Sequence, residues 1–364
     1  MKKNYVTLED VCIKGSSNIA QKDLENNEGK YPIYGASGFI KNVDFYVQEK
    51  PYIAVVKDGA GIGRTMMLPA YSSVIGTMQY LLPKDNIDIS YLYYAVTAMN
   101  LAKYYTGATI PHIYFKDYRK EKLPLVDKLE QKKIVEVLSK IDALVICHKR
   151  QLDEFEVLVK SRFIEMFGGI DNPKKFSVVN VEEIADIMVG VVIKPAQYYT
   201  DEYNGVKTFR SLNIGDMKIK DSDWVYFSEE GNRINSKSQL KEKDLLIVRS
   251  GAPGTSCVVT KDYEGCNAID VIIARPNDKL VNPYYLCAFT NFPHGKIQIE
   301  DGTGGAAQQH FNVGKYKKLK VFLPPINMQN KFDNFIIQVN KSKFTNYKSL
   351  LLLIIKKIWY NNYM

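Results

Sequence analysis

Apolar residues occur in short blocks along most of the chain and follow a helical spacing in two long segments. Blocks such as Tyr52–Val56 and 244–248 lie between Gly, Pro and Asn residues, which predicts short strands joined by turns. Residues 90–99 predict a short helix between such strands. A mixture of this kind favours the α+β class.

The longest helical pattern begins after Asp127. Asp127 followed by Glu130 is typical of a helix start, and Gly168 predicts the stop. A second helix with a looser apolar pattern is predicted after Pro325. At 1.5 Å per residue, a helix of roughly 35 to 40 residues is about 50 to 60 Å long. We expect the two helices to pack as an antiparallel coiled coil that holds two globular units at a fixed distance.

The chain contains one pattern twice. The segment that begins at His112 aligns with the segment that begins at His310, and the register continues until Gln131 aligns with Gln329. The parts between the matching segments differ most, as if one scaffold carried two different surfaces. We therefore predict two pseudo-symmetric globular domains, each followed by a long helix. The predicted limits are 1–126 for the first globular domain, 127–167 for the first helix, 168–323 for the second globular domain and 324–364 for the second helix.

Composition narrows the class of protein. A chain of 364 residues with 46% hydrophobic and 12% aromatic residues has room for two folded domains and is not disordered. Its net charge of +9 permits nucleic acid as a partner. The five cysteines form no C-x-x-C pair, so neither a disulfide framework nor a metal site is predicted. No signal-peptide pattern and no membrane-length apolar run is visible, and we expect a cytoplasmic protein.

Two segments resemble catalytic motifs. The glycine-rich segment 59–63 is not followed by a helix start that would hold a phosphate, so we interpret it as a turn between strands. The segment 282–285 resembles the Asn-Pro-Pro-Tyr motif of amino-methyltransferases but lacks the second proline. We expect Asn282 to cap a short helix whose first residue is Pro283. His112 and His310 have no partner at nucleophile or metal-ligand spacing.

Loops of both halves contain side chains suited to the edges of DNA bases. Such contacts need Arg, Lys, amide, hydroxyl or aromatic groups, and an Arg in a glycine-rich loop is the best single candidate because only eight of the 49 basic residues are Arg. The candidates in the first half are Tyr34, Ser37, Lys57, Arg64, Thr109 and His112. The candidates in the second half are Arg210, Asn213, Arg249, Ser250, Gln308, Gln309 and His310.

The duplicated segments resemble the specificity subunit of type I restriction-modification systems. The resemblance is carried by residues 106–113 and 123–134, and by 323–329 with Phe332 in the second half. It implies two target-recognition domains that read a bipartite, asymmetric target in double-stranded DNA, one half-site each, with the helices setting the spacer. It also implies two methyltransferase subunits bound around the helices and ATP-driven restriction subunits joined to them.

The resemblance further implies that this chain supplies no catalytic residue and holds no cofactor. S-adenosylmethionine, ATP and Mg are then expected on the partner subunits. The residues it suggests for partner binding lie on the two long helices, and they are Gln131, Ile134, Leu138, Ile141, Gln329, Phe332 and Ile336. Two alternatives stay open from the residues alone: an autonomous DNA adenine methyltransferase, and a coiled-coil scaffold that binds only protein.

Overall fold

The computed structural model describes residues 4–107, 111–302 and 311–363. It divides into two compact units. The first unit consists of Met1–Gln151 with Asn346–Met364, and the second of Leu152–Thr345. Each unit therefore takes part of both long helices, whereas the sequence placed the helices outside the globular domains.

The first unit combines short strands with short helices and ends in a long helix. Its elements are β1 (Tyr5–Thr7), α1 (Leu8–Val11), β2 (Cys12–Ser16), β3 (Tyr31–Gly35), β4 (Gly38–Val43), β5 (Tyr52–Val56), β6 (Thr65–Leu68), β7 (Ser73–Val74), β8 (Met78–Pro83), α2 (Ile89–Ala98), α3 (Phe115–Tyr118), β9 (Lys122–Pro124) and α4 (Lys128–Phe167), of which α4 continues into the second unit.

Strand β5 is central to the first unit. It lies in an antiparallel sheet with the order β2-β8-β5-β6, and each of its residues is buried. Ile53 and Val55 belong to the cluster that contains Tyr91 and Leu92 of α2, whereas Tyr52, Ala54 and Val56 belong to a second cluster. Since successive strand residues point to opposite faces and both faces are covered, the strand reads as a continuous apolar run.

The second unit has more elements between its matching parts. Its elements are β10 (Ser177–Asn180), α5 (Val181–Ile184), β11 (Ala185–Val189), β12 (Tyr199–Thr200), β13 (Gly205–Phe209), β14 (Ile214–Gly215), β15 (Lys218–Ile219), β16 (Val225–Ser228), α6 (Glu229–Ile234), β17 (Leu245–Val248), β18 (Ser256–Val258), β19 (Asn267–Ala268), β20 (Val271–Pro276), α7 (Pro283–Asn291), α8 (Pro293–Gly302), α9 (Val313–Lys317), β21 (Lys320–Leu323) and α10 (Ile326–Tyr363), of which α10 continues into the first unit.

The two units share one topology, as the repeat predicted. The second unit has an antiparallel sheet of order β11-β20-β17-β18, which matches β2-β8-β5-β6, and the pair β10-β21 matches β1-β9. Alternate residues of β17 again face two different buried clusters. The smaller sheets differ, since β4-β3-β7 of the first unit corresponds to β12-β16-β13-β19 with an added β14-β15 pair in the second. The scaffold is thus duplicated, and the variable parts lie on its smaller sheets.

A buried glutamine joins helix α4 to the loop before α2 in the first unit. Gln131 is 0% exposed. Its Oε1 accepts a hydrogen bond from the Asp88 N–H at 2.7 Å, and its Nε2 donates to the carbonyls of Val126 at 2.8 Å and Asn86 at 3.3 Å. Since Asp88 also caps α2 through its side chain, this glutamine fixes α4 to the start of α2.

The second unit repeats this arrangement atom for atom. Gln329 is 0% exposed, accepts from the Asn282 N–H at 2.8 Å, and donates to the carbonyls of Pro324 at 2.7 Å and Leu280 at 3.3 Å. Asn282 caps α7 just as the corresponding aspartate caps α2. The duplication therefore extends from strand order to individual hydrogen bonds.

The two long helices pack against each other as the predicted antiparallel pair. In the first unit, the Asn346 side chain donates to Gln151 Oε1 at 2.6 Å. In the second unit, the ring centroids of Phe163 and Phe332 lie 5.3 Å apart. Also in the first unit, Lys357 pairs with Asp142, so residue numbers on α10 fall as those on α4 rise, which defines the antiparallel direction. Among the described residues, no helix is both long enough and apolar enough to span a membrane.

The residues suggested for partner binding make contacts within the chain. The buried ones pack their helices onto their own unit, whereas one is half-buried against the same core. The buried residues are Gln131, Leu138, Ile141, Gln329, Phe332 and Ile336, and the half-buried residue is Ile134. These contacts pack the long helices onto the globular units, and the contact of these residues with a partner stays a prediction.

Candidate nucleic-acid interface

In the first unit, the candidates Lys57 and His112 lie together where β5 ends. The segment that follows β5 pairs with residues 111–113. The Gly59 N–H donates to the Pro111 carbonyl at 3.0 Å, and the Ile113 N–H donates to the Lys57 carbonyl at 2.9 Å. Asp58 and His112 lie opposite each other between these two bonds. In such a pair the side chains approach closely on one face.

The side chains at this strand end form a charged cluster. His112 Nδ1 lies 2.6 Å from Asp58 Oδ1, and the Lys57 ammonium lies 3.1 Å from the other oxygen of Asp58. The side chains remain 37%, 23% and 31% exposed for His112, Asp58 and Lys57. The ring of Tyr114 stacks on the imidazole at a centroid distance of 6.3 Å. The cluster is thus both ordered and open to a ligand.

Three further candidates of the first unit lie close together, at the hairpin between β3 and β4. Arg64 is exposed and donates to the Ala36 carbonyl at 3.0 Å, which places its guanidinium beside the hairpin turn. Ser37 is exposed in that turn. Tyr34 is half-buried and packs on the cluster around Tyr52, so only part of its ring is available. Thr109 lies outside the described residues.

In the second unit, Arg249 occupies the position after β17 that Lys57 occupies after β5. The Phe311 N–H donates to its carbonyl at 2.8 Å, as Ile113 does to Lys57. The guanidinium lies 2.6 Å from Asp270 Oδ1, and the side chain is only 12% exposed. Ser250 is exposed beside it. The remaining candidates of this end lie outside the described residues, and they are Gln308, Gln309 and His310.

Asn213 is a correction to the sequence prediction. It is 0% exposed, its Oδ1 accepts from the Arg210 N–H at 2.9 Å, and its Nδ2 donates to the Ser222 carbonyl at 2.7 Å. A buried amide that is bonded in this way holds its own loop and is not accessible to a base. Arg210 is half-buried, with its guanidinium donating to the Asp223 carbonyl.

The sequence analysis missed a cation held by aromatic rings in the second unit. The Lys207 ammonium lies 5.0 Å from the ring centroid of Trp224 and 5.7 Å from that of Tyr263, and it pairs with Asp221 at 3.0 Å. The hydrogen bond with Asp221 raises the pKa of Lys207, and the hydrogen bonds from Lys207 and Trp224 lower the pKa of Asp221. The charges are therefore fixed on a half-exposed surface. Only the composition of 207–224, which is rich in lysine and acidic residues, hinted at it.

The acidic members of both strand ends were also missed. Asp58 forms an ion pair with Lys57 in the first unit, and Asp270 forms one with Arg249 in the second. The two carboxylates come from different positions in the repeat. Asp58 follows Lys57 directly, whereas Asp270 precedes the neighbouring strand β20. Carboxylates near DNA orient cationic groups or accept from a cytosine amino group.

The two segments that resemble catalytic motifs have structural roles, as predicted. Segment 59–63 is a turn between β5 and β6, with positive φ at Gly59 and Gly63. A Cβ at residue 63 would lie 2.5 Å from the Ala102 nitrogen, so the turn also needs glycine for close packing. Asn282 accepts from the N–H groups of Tyr284 and Tyr285 at the start of α7, where Pro283 is the first residue.

Comparison with known proteins finds similarity to one family. Residues 2–157 match the family model described as Type I restriction modification DNA specificity domain. Over 261 residues the chain is 29% identical to the type I restriction enzyme MjaVIII specificity subunit of Methanocaldococcus jannaschii, which covers 65% of this chain and 60% of that protein. The chain thus spans less than two thirds of the length of this curated relative.

Solved structures share the fold at low sequence identity. A type I restriction-modification system S subunit from M. genitalium matches with a TM-score of 0.60 and 15% identity, over 99% of this chain and 96% of that chain. A chain from a study of complex assembly and conformational transition of the type I R-M system matches with a TM-score of 0.60 and 16% identity, over 100% and 97%. At this identity the likeness establishes the fold.

Two modules of one topology, each with a polar strand end and a share of a helix pair, define a modular recognition protein. The chain is similar to type I restriction-modification specificity subunits, as the sequence resemblance predicted, and the family model matches its residues 2–157.

Proposed function

We propose that this chain is the specificity subunit of a type I restriction-modification complex. In this proposal each unit reads one half-site of a bipartite, asymmetric sequence in double-stranded DNA. The chain positions two methyltransferase subunits and the restriction subunits, and contributes no catalytic residue itself. S-adenosylmethionine, ATP and Mg would be held by those partners. The observation that carries the proposal is the duplicated scaffold, which places different side chains at equivalent strand ends.

The charge of the chain and the nature of the strand ends favour DNA as the ligand. A net charge of +9 attracts the phosphate backbone without regard to sequence. Lys57, Arg64 and His112 in the first unit, and Arg249 with Ser250 in the second, offer groups of the kind that read base edges. The two sets differ, which fits a target whose halves are not identical.

Exposed apolar side chains on the helices support protein partners. In the first unit, Leu144 and Ile146 of α4 are 48% and 65% exposed, and Leu352 and Ile355 of α10 are 60% and 52% exposed. These side chains point away from the core that the predicted partner residues occupy. Exposed apolar groups concentrated on one element mark interaction surfaces. We therefore assign methyltransferase binding to these outward faces.

The length of α4 supports its assignment as the spacer ruler. Its 40 residues correspond to about 60 Å at 1.5 Å per residue. That length is fixed by covalent structure and hydrogen bonds, so a change in residue number has a defined geometric effect. The proposal therefore assigns the separation of the half-sites to the helix pair.

The two segments that suggested an autonomous methyltransferase, 59–63 and 282–285, both have structural roles and so no longer favour that alternative. Titration of the isolated chain with S-adenosylmethionine distinguishes this alternative from a specificity subunit, since measurable binding would favour an autonomous methyltransferase. The alternative of a protein-only scaffold predicts that the assembled complex leaves no footprint on DNA.

The proposal is tested by mapping methylated adenines in cells that carry this gene and its methyltransferase partner. We expect methylation at one bipartite sequence, and its loss when this gene alone is deleted. Methylation that survives the deletion, or a target without a spacer, would contradict the proposal. Footprinting of the purified complex on the mapped sequence, with a shuffled duplex as the control, tests direct binding.

A further inference from the structure

The backbone at the end of β5 holds His112 in a fixed position. Its N–H and carbonyl both bond to Thr106, at 2.8 Å each, while its two chain neighbours bond to Gly59 and Lys57. The ring of Tyr114 lies beside the imidazole at a centroid distance of 6.3 Å. The contact between Nδ1 and Asp58 Oδ1, at 2.6 Å, sets which ring nitrogen faces the carboxylate.

The carboxylate of Asp58 determines which nitrogen carries the proton. An ionised carboxylate only accepts hydrogen bonds, so at 2.6 Å the Nδ1 of His112 must be the donor. Lys57 holds the other oxygen of Asp58 at 3.1 Å and offsets its charge. In the neutral imidazole, a proton on Nδ1 leaves the lone pair on Nε2.

We propose that Asp58 is a positioning residue that makes His112 Nε2 a hydrogen-bond acceptor for the exocyclic amino group of an adenine or a cytosine. This inference rests on the proposed function and names the contact through which the first unit reads its half-site. In the major groove, adenine and cytosine present an amino donor where guanine and thymine present a carbonyl acceptor. A fixed acceptor therefore selects the amino bases.

The variant Asp58→Asn tests the inference because it inverts the polarity of the ring. The Lys57 ammonium selects the amide oxygen of the new side chain, which leaves the amide NH₂ facing His112. That NH₂ donates to Nδ1, so the proton of the imidazole moves to Nε2. Nε2 then becomes a donor and favours the carbonyl of guanine or thymine. Asp58→Glu keeps an acceptor and is the conservative control.

The first measurement is the tautomer in the full chain without DNA. Nitrogen-15 NMR of histidine-labelled protein, with His112 assigned by its loss in His112→Gln, is expected to show the proton on Nδ1. Asp58→Asn is expected to move it to Nε2, and Asp58→Glu to leave it on Nδ1. A proton on Nε2 in the unchanged protein would overturn the inference without reference to DNA.

The second measurement is base selectivity of the complex assembled with its methyltransferase partner. Duplexes with each base at each half-site position are competed against the mapped target. We expect one position of one half-site to require adenine or cytosine, and Asp58→Asn to reduce that selectivity by roughly tenfold or more in favour of guanine or thymine. Asp270→Asn, in the second unit, is expected to leave this position unchanged.

The outcomes separate the inference from the proposed function. A complex of the unchanged chain without any sequence preference would refute the proposed function, and with it the base contact. A sequence-specific complex in which Asp58→Asn weakens all duplexes equally, or changes none, would refute the inference alone. If Asp58→Asn does not fold, His112→Gln provides the test, since its loss of selectivity must fall on the same single position.

Discussion

Replacement of Gln131 by leucine removes the hydrogen bonds that join α4 to the loop before α2. The two short bonds, to the Asp88 N–H and the Val126 carbonyl, contribute about 1 kcal/mol each. The bond of 3.3 Å to the Asn86 carbonyl contributes less, because Asn86 is exposed to water. Leucine has a similar volume, so no large cavity is added. We therefore expect Gln131→Leu to destabilise the first unit by about 2 to 3 kcal/mol.

Hydrogen exchange read by mass spectrometry is the suitable assay, because a chain of two units does not unfold in one transition. Peptides from α2 and the start of α4 should exchange about 30- to 150-fold faster, since each 1.4 kcal/mol corresponds to a factor of ten. Peptides from the second unit should be unaffected.

The repeat provides a matched control. Gln329→Leu removes the equivalent bonds in the second unit and should accelerate exchange in α7 and the start of α10 instead. Lys132→Ala, at an exposed neighbouring position, should change neither. Equal acceleration in both units by Gln131→Leu, or a change below about 0.5 kcal/mol, would refute the assignment of these bonds as the joint.

Three further predictions concern binding, assembly and thiol chemistry. Arg249→Ala is expected to weaken recognition of one half-site by about 1 to 3 kcal/mol of binding free energy and to leave recognition of the other half-site unchanged. Competition with single-base variants of the target measures both effects, and an equal loss of binding free energy at both half-sites would count against a role of Arg249 in base recognition. Deletion of one heptad from α4 should change the preferred spacer or abolish assembly, and an unaltered spacer in the methylation map would show that the helix is not the ruler. Cys147 is exposed, whereas the other four cysteines are buried and burial raises the pKa of each thiol. A thiol reagent at pH 8 should therefore label one cysteine quickly in the native chain and all five after denaturation, and rapid labelling of a second site would contradict the burial.

The features that followed from local sequence were predictable. Asn282 followed by proline predicted a capped helix, because the cap depends on neighbouring residues only. The repeat predicted that both units have one topology, and the sheets confirm it. The spacing of apolar residues gave α4 to within one residue of its start, since its cap at Asp127 is also local.

The features that depend on distant contacts were not predictable from the same patterns. Gln131 and Gln329 align in the repeat, but a polar residue in the first turn of a helix is normally exposed, so their burial was missed. Asp58 meets His112 across a wide gap in sequence, and an acidic residue was not sought at a surface chosen for its attraction to DNA. A signal was present in retrospect, because each glutamine keeps a helix-capping Asp or Asn at a similar distance upstream.

The first unit is discontinuous in sequence, since it is completed by the last part of α10. A premature stop after Thr345 would therefore remove part of the first unit, and would leave every residue of the second unit in place. No single cleavage of the chain can release both modules whole. During synthesis, the first unit gains its remaining residues only after the chain has been extended past Thr345.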